Sequence, residues 1–199
     1  MNLLEIENLN VTLGNKQIIK SISISLTRDR NLLISGKTGS GKTTLFKAIL
    51  KMIPASFDKF IIFGKDYSEI NHNEIGINTC FSFQEPETSF TEITVIDELN
   101  SVLKDDQLIN PFIETFNFKK FIQMNPFKLS QAEKRILSLC GIFDSNKKLF
   151  LLDEPTSDLD PINQKKILEI LKNTSTPKLI FSHDKFLLKS NLGTVLSLE

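Results

Sequence analysis

The stretch Gly36-Lys37-Thr38-Gly39-Ser40-Gly41-Lys42-Thr43 follows the apolar run Leu32-Leu33-Ile34-Ser35 and precedes Thr44-Leu45-Phe46-Lys47-Ala48-Ile49-Leu50, whose apolar residues recur at helical spacing. A buried strand, a glycine-rich turn and a helix in that order aim successive backbone N–H groups, together with the partial positive charge of the helix start, at one point. Polyphosphate fits there. The glycines let the main chain approach the phosphates, Lys42 is placed to reach the β and γ groups, and the Thr43 hydroxyl is placed to ligate Mg²⁺. The spacing G-x-x-x-x-G-K-T therefore predicts nucleotide binding, with Gly36, Lys37, Thr38, Gly39, Ser40, Gly41, Lys42, Thr43 and Thr44 in contact with the ligand.

The 199 residues suffice for one domain with a small subdomain inserted, and no appended domain is expected. Lys and Arg number 24, as do Asp and Glu, and the formal net charge is zero. With no basic excess, no nucleic-acid partner is expected. Cys80 and Cys140 lie far apart in sequence, each among apolar neighbours, which reads as buried thiols in a reducing compartment rather than a disulfide or a metal site. No basic leader precedes an apolar core, and no apolar run approaches the ~20 residues that span a bilayer. The expected location is cytoplasmic, or peripheral on the cytoplasmic face of the cell membrane, held there by a partner.

Along the chain, residues 3–13 and 17–27 read as two strands around a Gly14-Asn15 turn, the second alternating Ile22, Ile24 and Leu26 with serines. Residues 31–35 lead into the cradle, 59–63 form a strand ending at Gly64, and 75–83 read as another. From Gln84 to Leu129 the spacing turns helical, notably at 95–99 and 112–124, which marks an inserted helical subdomain of about 85–144. Residues 131–143 read as a further helix. Leu149-Phe150-Leu151-Leu152 is short and wholly apolar, as a buried parallel strand is. Asp160-Pro161 then caps a helix reaching about Lys172, with Ile162, Ile167, Leu168 and Leu171 apolar, and strands follow at 178–182 and 193–198. The fold class is α/β: a P-loop NTPase with a mostly parallel sheet, an N-terminal antiparallel hairpin and the helical insertion.

The apolar strand at 149–152 runs directly into Asp153 and Glu154, so two carboxylates emerge at its C-terminal end, where ligands bind in open α/β sheets. Beside a phosphate cradle, Asp153 is expected to hold Mg²⁺ and Glu154 to polarise the water that attacks the γ-phosphate.

The order of these motifs resembles the ABC-type ATPase family over nearly the whole chain. Gly36 to Thr43 matches its Walker A, Gln84 its Q-loop glutamine, Leu129-Ser130 the start of its signature, and Leu149 to Glu154 its Walker B. Ser157-Asp158-Leu159-Asp160 matches the D-loop and His183 the switch histidine. The resemblance implies ATP and Mg²⁺ as cofactors, with Thr43, Gln84 and Asp153 at the metal and Glu154, His183 and Gln84 in hydrolysis. It also implies a second ATPase cassette, identical or distinct, whose nucleotide Ser130 would cap across the dimer, and a transmembrane transporter subunit as the partner moved. Two departures stand out. The signature reads Ser130-Gln131-Ala132, without the usual pair of glycines, which implies a slow site wherever this chain lends its signature. Leu13 stands where relatives often stack an aromatic on the base, so base selectivity is open.

Residues 83–87 and 94–99 look like the energy-coupling-factor ATPases that drive uptake of vitamins and transition metals, and they predict that the segment 85–99 docks the membrane partner with Pro86, Phe90 and Ile93 in an exposed loop. Two other readings remain open: a soluble ABC-class ATPase acting in translation or repair, and a weakly hydrolysing regulatory cassette.

Overall fold

The computed structural model describes residues 2–198. Two long strands, β1 (Asn2–Leu13) and β2 (Lys16–Thr27), pair antiparallel around a two-residue turn in which Gly14 takes φ +58°. That value suits the first position of a tight hairpin loop. β3 (Leu32–Ser35) enters the glycine-rich loop and α1 (Lys42–Ile49) leaves it. β4 (Lys59–Ile62) returns to pair with β1, and the short β5 (Lys65–Asp66) pairs with β4. After α2 (His72–Asn78) come β6 (Thr79–Ser82) and a 3-10 turn at Pro86–Ser89. The helical insertion then contains α3 (Val95–Leu103), α4 (Asp106–Phe116) and α5 (Gln131–Ser138). β7 (Leu149–Asp153), α6 (Pro161–Asn173), β8 (Lys178–Phe181), α7 (Lys185–Leu188) and β9 (Thr194–Ser197) complete the chain.

The strands form two sheets. β2-β1-β4-β5 is antiparallel, whereas β6-β7-β8-β3-β9 is parallel throughout. Because a strand points alternate side chains to opposite faces, the parallel sheet divides its residues between two cores. Leu32 and Ile34 of β3, Leu149 and Leu151 of β7, and Leu179 and Phe181 of β8 join α1 and the antiparallel sheet. Leu33, Phe150, Leu152 and Ile180 face the other way, onto the helical insertion, α6 and α7. Every residue of β7 and β8 is buried, in keeping with their wholly apolar or near-apolar runs.

The structure corrects several boundaries. Residues 75–78, read as the start of a strand, close α2, because the Asn71 side chain accepts the Glu74 N–H and nucleates a helix there. α4 begins at Asp106, not Phe112. Asp105 caps it and it carries Pro111 within, forgoing one backbone bond while burying Ile109, Phe112 and Phe116. It stops at Phe116, after which Asn117 adopts φ +56°. The expected helix 131–143 ends at Ser138 and resumes as a 3-10 turn over Cys140–Phe143. Ile162 at the start of α6 is 68% exposed instead of packed. Cys80 and Cys140, distant in sequence, both lie buried, and a Cβ added to the adjoining Gly141 would meet the Cys80 sulfur at 2.8 Å.

At the N-terminal end of β8 a buried lysine closes the strand's entry. The Lys178 ammonium donates to the carbonyls of Thr174 at 2.7 Å and Thr176 at 2.6 Å, and burial lowers its pKa to about 8. A lysine whose folded pKa lies below its unfolded value gives up a proton on folding anywhere between the two. Stability from this group therefore rises as pH climbs from about 8 towards the usual lysine value. The stability difference between the wild type and Lys178→Met should move in favour of wild type over that interval, measured by denaturant titration at stepped pH. A difference independent of pH would show that the ammonium carries no desolvation penalty.

Candidate functional site

In a parallel sheet all strands end on the same side, and here those ends carry the glycine-rich loop, Gln84, Asp153, Glu154 and His183. Gly36 follows β3, Gln84 lies two residues past β6, Glu154 follows β7 and His183 lies two residues past β8. A cavity of about 100 Å³ opens among Thr38, Gly39, Gly41, Lys42, Thr43, Gln84, Glu154 and His183.

The loop from Gly36 to Gly41 requires its glycines. At Gly41, which precedes α1, φ is +96°, and a Cβ would stand 2.6 Å from Ile19 Cδ1 on the hairpin; a Cβ on Gly36 would meet the Ser40 hydroxyl at 2.4 Å. Lys42 is 7% exposed, and its ammonium donates to the carbonyls of Gly36 at 2.7 Å and Lys37 at 3.2 Å. The cation is thus held against the start of its own loop by two main-chain carbonyls.

Thr43 joins the loop to the acids at the end of β7. Its hydroxyl donates to Asp153 Oδ2 at 2.8 Å and stands 3.3 Å from Gln84 Oε1. One hydroxyl proton cannot serve both acceptors well. Asp153 is 1% exposed and its Oδ1 has no partner. Burial pushes its carboxyl pKa up, opposed by the bond from Thr43. A buried, unpaired carboxylate oxygen beside a hydroxyl and an amide oxygen is an oxygen-only donor set lacking a positive charge. A hard divalent cation such as Mg²⁺ fits it.

Glu154 is 4% exposed and adopts φ +50°, which turns its side chain back across the end of β8. The Ser182 hydroxyl donates to Oε2 at 2.8 Å, the His183 N–H donates to Oε1 at 3.1 Å, and His183 Nδ1 lies 2.6 Å from Oε1. The Lys42 ammonium is 3.9 Å away. The rest of the His183 ring is open, its side chain 63% exposed. Glu154 is therefore a fixed carboxylate facing the cradle, and the His183 ring lies beside it with most of its surface open.

Of the residues expected at the site, Ser130 alone is not brought to the cradle. It caps α5, its hydroxyl and backbone N–H both donating to Glu133 Oε2, at 2.7 and 2.8 Å. Pro86 and Phe90, expected in an exposed loop, are buried. Phe90 packs edge-on against Phe127, while Ile93 is 78% exposed. Glu98 explains the loop's shape by accepting the backbone N–H groups of Thr91 and Glu92, each at 3.0 Å. Two contributors escaped the sequence reading. Ser182 was assigned to the strand, although a serine closing a buried apolar run directly before His183 is a usable signal. Arg135 was passed over within α5, although its spacing from Ala132 and Leu139 places it on the buried stripe.

The ABC transporter family model matches residues 19–157, more than half of the chain. An uncharacterized ABC transporter ATP-binding protein of Haemophilus influenzae is 30% identical over 99% of this chain and 95% of its own length. A Bacillus subtilis protein named as a putative HMP/thiamine import ATP-binding protein, YkoD, is 28% identical over the whole chain, which spans 38% of that longer relative. Among solved structures, the ADP- and Pi-bound dimer of the cassette MJ0796 superposes with a TM-score of 0.81 at 18% identity, covering 98% of this chain and 94% of that one. CbiO1 of Clostridium perfringens superposes with 0.78 at 20%, covering 100% and 85%. Both show the fold. Sequence match, sheet order and the convergence of loop, acids and glutamine at one sheet end lead to a single assignment: the chain belongs to the ABC transporter family, as an ATP-binding and hydrolysing cassette.

Proposed function

We propose that the cradle holds Mg-ATP and that Glu154 acts on the water attacking its γ-phosphate. The observation that carries this reading is the buried Asp153 carboxylate, whose Oδ1 has no partner and whose Oδ2 accepts from the same Thr43 hydroxyl that stands near Gln84 Oε1. Mg²⁺, when bound, would neutralise charge on the β and γ oxygens, held by Thr43 with Asp153 and Gln84. The chain's own groups do the rest. The amides and Lys42 orient the phosphates, Glu154 accepts a proton from water, and His183 can turn its open ring to hydrogen-bond the γ-phosphate. We read the whole chain as one cassette, with the helices of about 85–144 as its subdomain.

Hydrolysis in this reading is completed by a second cassette. Ser130 lies outside the cradle of its own chain, and its hydroxyl and amide are already committed to Glu133. Together with side chains at Gln131 and Ala132 in place of glycine, this supports a slow site where the chain lends its signature and an asymmetric pairing with a distinct partner.

We read the complex as an importer of the energy-coupling-factor type, carrying a vitamin or a transition metal, with the chain peripheral on the cytoplasmic face. The name of the B. subtilis relative supports the substrate class, and among the described residues no helix is long and apolar enough to cross a membrane. The transmembrane partner has a candidate seat. A cavity of about 570 Å³ opens beside β6, the edge strand of the parallel sheet, lined among others by Phe81, Phe90, Val102 and Leu103, with Ile77 at its rim and 71% exposed. It flanks the 3-10 turn at 86–89, directly after Gln84, so a seated helix would press on the segment that carries the glutamine.

Two variants separate binding from turnover. Lys42→Ala should weaken ATP binding by ~100-fold or more in titration calorimetry, since it removes the charge that balances the phosphates. Wild-type affinity would show the cradle to be misassigned. Glu154→Gln should bind ATP and lose ~10²-fold or more in single-turnover hydrolysis, and an unchanged rate would remove Glu154 from the chemistry.

Docking is read by a cross-linker on Ile77→Cys. The native thiols give little background, because both are buried and burial raises the Cys80 pKa to about 12. The expected product joins the chain to an integral-membrane protein. Adducts to soluble proteins alone would favour an ATPase outside transport.

A further inference from the structure

Gln84 has a positioning problem. Its side chain is exposed, its one recorded contact is the 3.3 Å approach to Thr43, and it sits beyond Ser82, where β6 and its ladder with β7 end. An exposed side chain with that single long contact is not held in place by its own surroundings.

Arg135 supplies what is missing. It projects from α5 into the protein and is fully buried. One terminal nitrogen donates to the Phe83 carbonyl at 2.6 Å and the other to the Gln84 carbonyl, so the planar fork spans two successive peptide units. Lys134, the preceding residue, is 7% exposed and pairs with Glu87 three residues further along the same segment. Burial disfavours the charged guanidinium, and Asp158, Asp153 and Glu154 oppose that by favouring its cationic form.

We propose that Arg135 is a positioning residue for the metal: by gripping the Phe83 and Gln84 carbonyls it fixes the backbone from which Gln84 reaches the cation. This rests on the reading that Gln84 and Asp153 hold Mg²⁺. A fully buried guanidinium is costly unless it is paired and hydrogen-bonded, so its presence here needs more than packing to account for it. A lysine would keep the charge and lose the fork, because a single ammonium lacks the planar pair of donors that matches adjacent carbonyls. Since α5 also begins at Ser130, the same grip ties the residue expected to face a partner's nucleotide to the residue expected to face the chain's own metal.

The test uses Mn²⁺ as the probe, followed by electron paramagnetic resonance on protein loaded with a non-hydrolysable ATP analogue, for wild type, Arg135→Lys, Gln84→Ala and the double variant. Arg135→Lys should raise the Mn²⁺ half-saturation concentration about tenfold, as loss of an outer-shell partner commonly does, and leave analogue affinity without metal unchanged. The double variant should bind Mn²⁺ no more weakly than the poorer single one, because both changes remove the same oxygen. Wild-type Mn²⁺ binding in Arg135→Lys, or losses that multiply in the double variant, would overturn the positioning role. Should Arg135→Lys not fold, Arg135→Gln, which removes the charge as well, is compared with and without Gln84→Ala: the grip predicts that its effect on Mn²⁺ binding differs between the two backgrounds, and an equal effect in both would overturn the positioning role. Failure of wild type to bind the analogue would instead bring down the nucleotide reading itself. Mn²⁺ binding untouched by Gln84→Ala alone would leave Arg135 nothing to position and end the proposal.

Discussion

The bond from the Thr43 hydroxyl to Asp153 is the point at which the two halves of the site are held in register. Thr43 belongs to the first turn of α1 and Asp153 to the last residue of β7, two strands away across β8, so one contact sets the distance between phosphate cradle and acids. Its cost is electrostatic. Asp153 is almost wholly buried, with one oxygen satisfied and the other not, and burial raises its pKa despite the help of Thr43. The folded chain therefore carries a desolvation penalty that a bound cation would relieve, and the resulting gain belongs to the loaded state alone. The same arrangement makes the site selective for charge: oxygen donors around a buried carboxylate offer nothing to an anion.

The parts of this design that were legible in the sequence are those whose cause is local. The glycine spacing, the Lys42-Thr43 pair and the four apolar residues running into Asp153-Glu154 each specify their local structure within about eight residues, and the strand, loop and helix they predict are present. Misreadings arose where local pattern and distant contact compete. Ile75, Ile77, Thr79 and Phe81 alternate as a strand does, but the cap from Asn71 claims the first half for α2. The segment around Phe90 reads as an exposed loop, and Phe90 is buried against Phe127, 37 positions further along the chain. Arg135 could be placed on a buried face by its spacing, yet its partners are main-chain carbonyls some fifty residues away, and carbonyls leave no mark in a sequence.

Helix α5 shows how a short element can serve several masters. Its capping box fixes where the helix starts, its two basic residues reach opposite parts of the segment after β6, and Ile136 and Leu137 hold it in the core. Eight residues leave no room for a redundant position, so the helix is specified by contacts along its whole length rather than by propensity.

The parallel sheet also works as a partition. Leu151 and Leu152 are neighbours in sequence, yet each belongs to a different hydrophobic core, and the same holds for Leu33 and Ile34 and for Leu179 and Ile180. Side chains on one face can be exchanged for others of similar volume without disturbing the packing on the other face. A change of packing in the helical layer is thereby insulated from the layer that holds the glycine-rich loop, because five strands of main chain stand between the two cores.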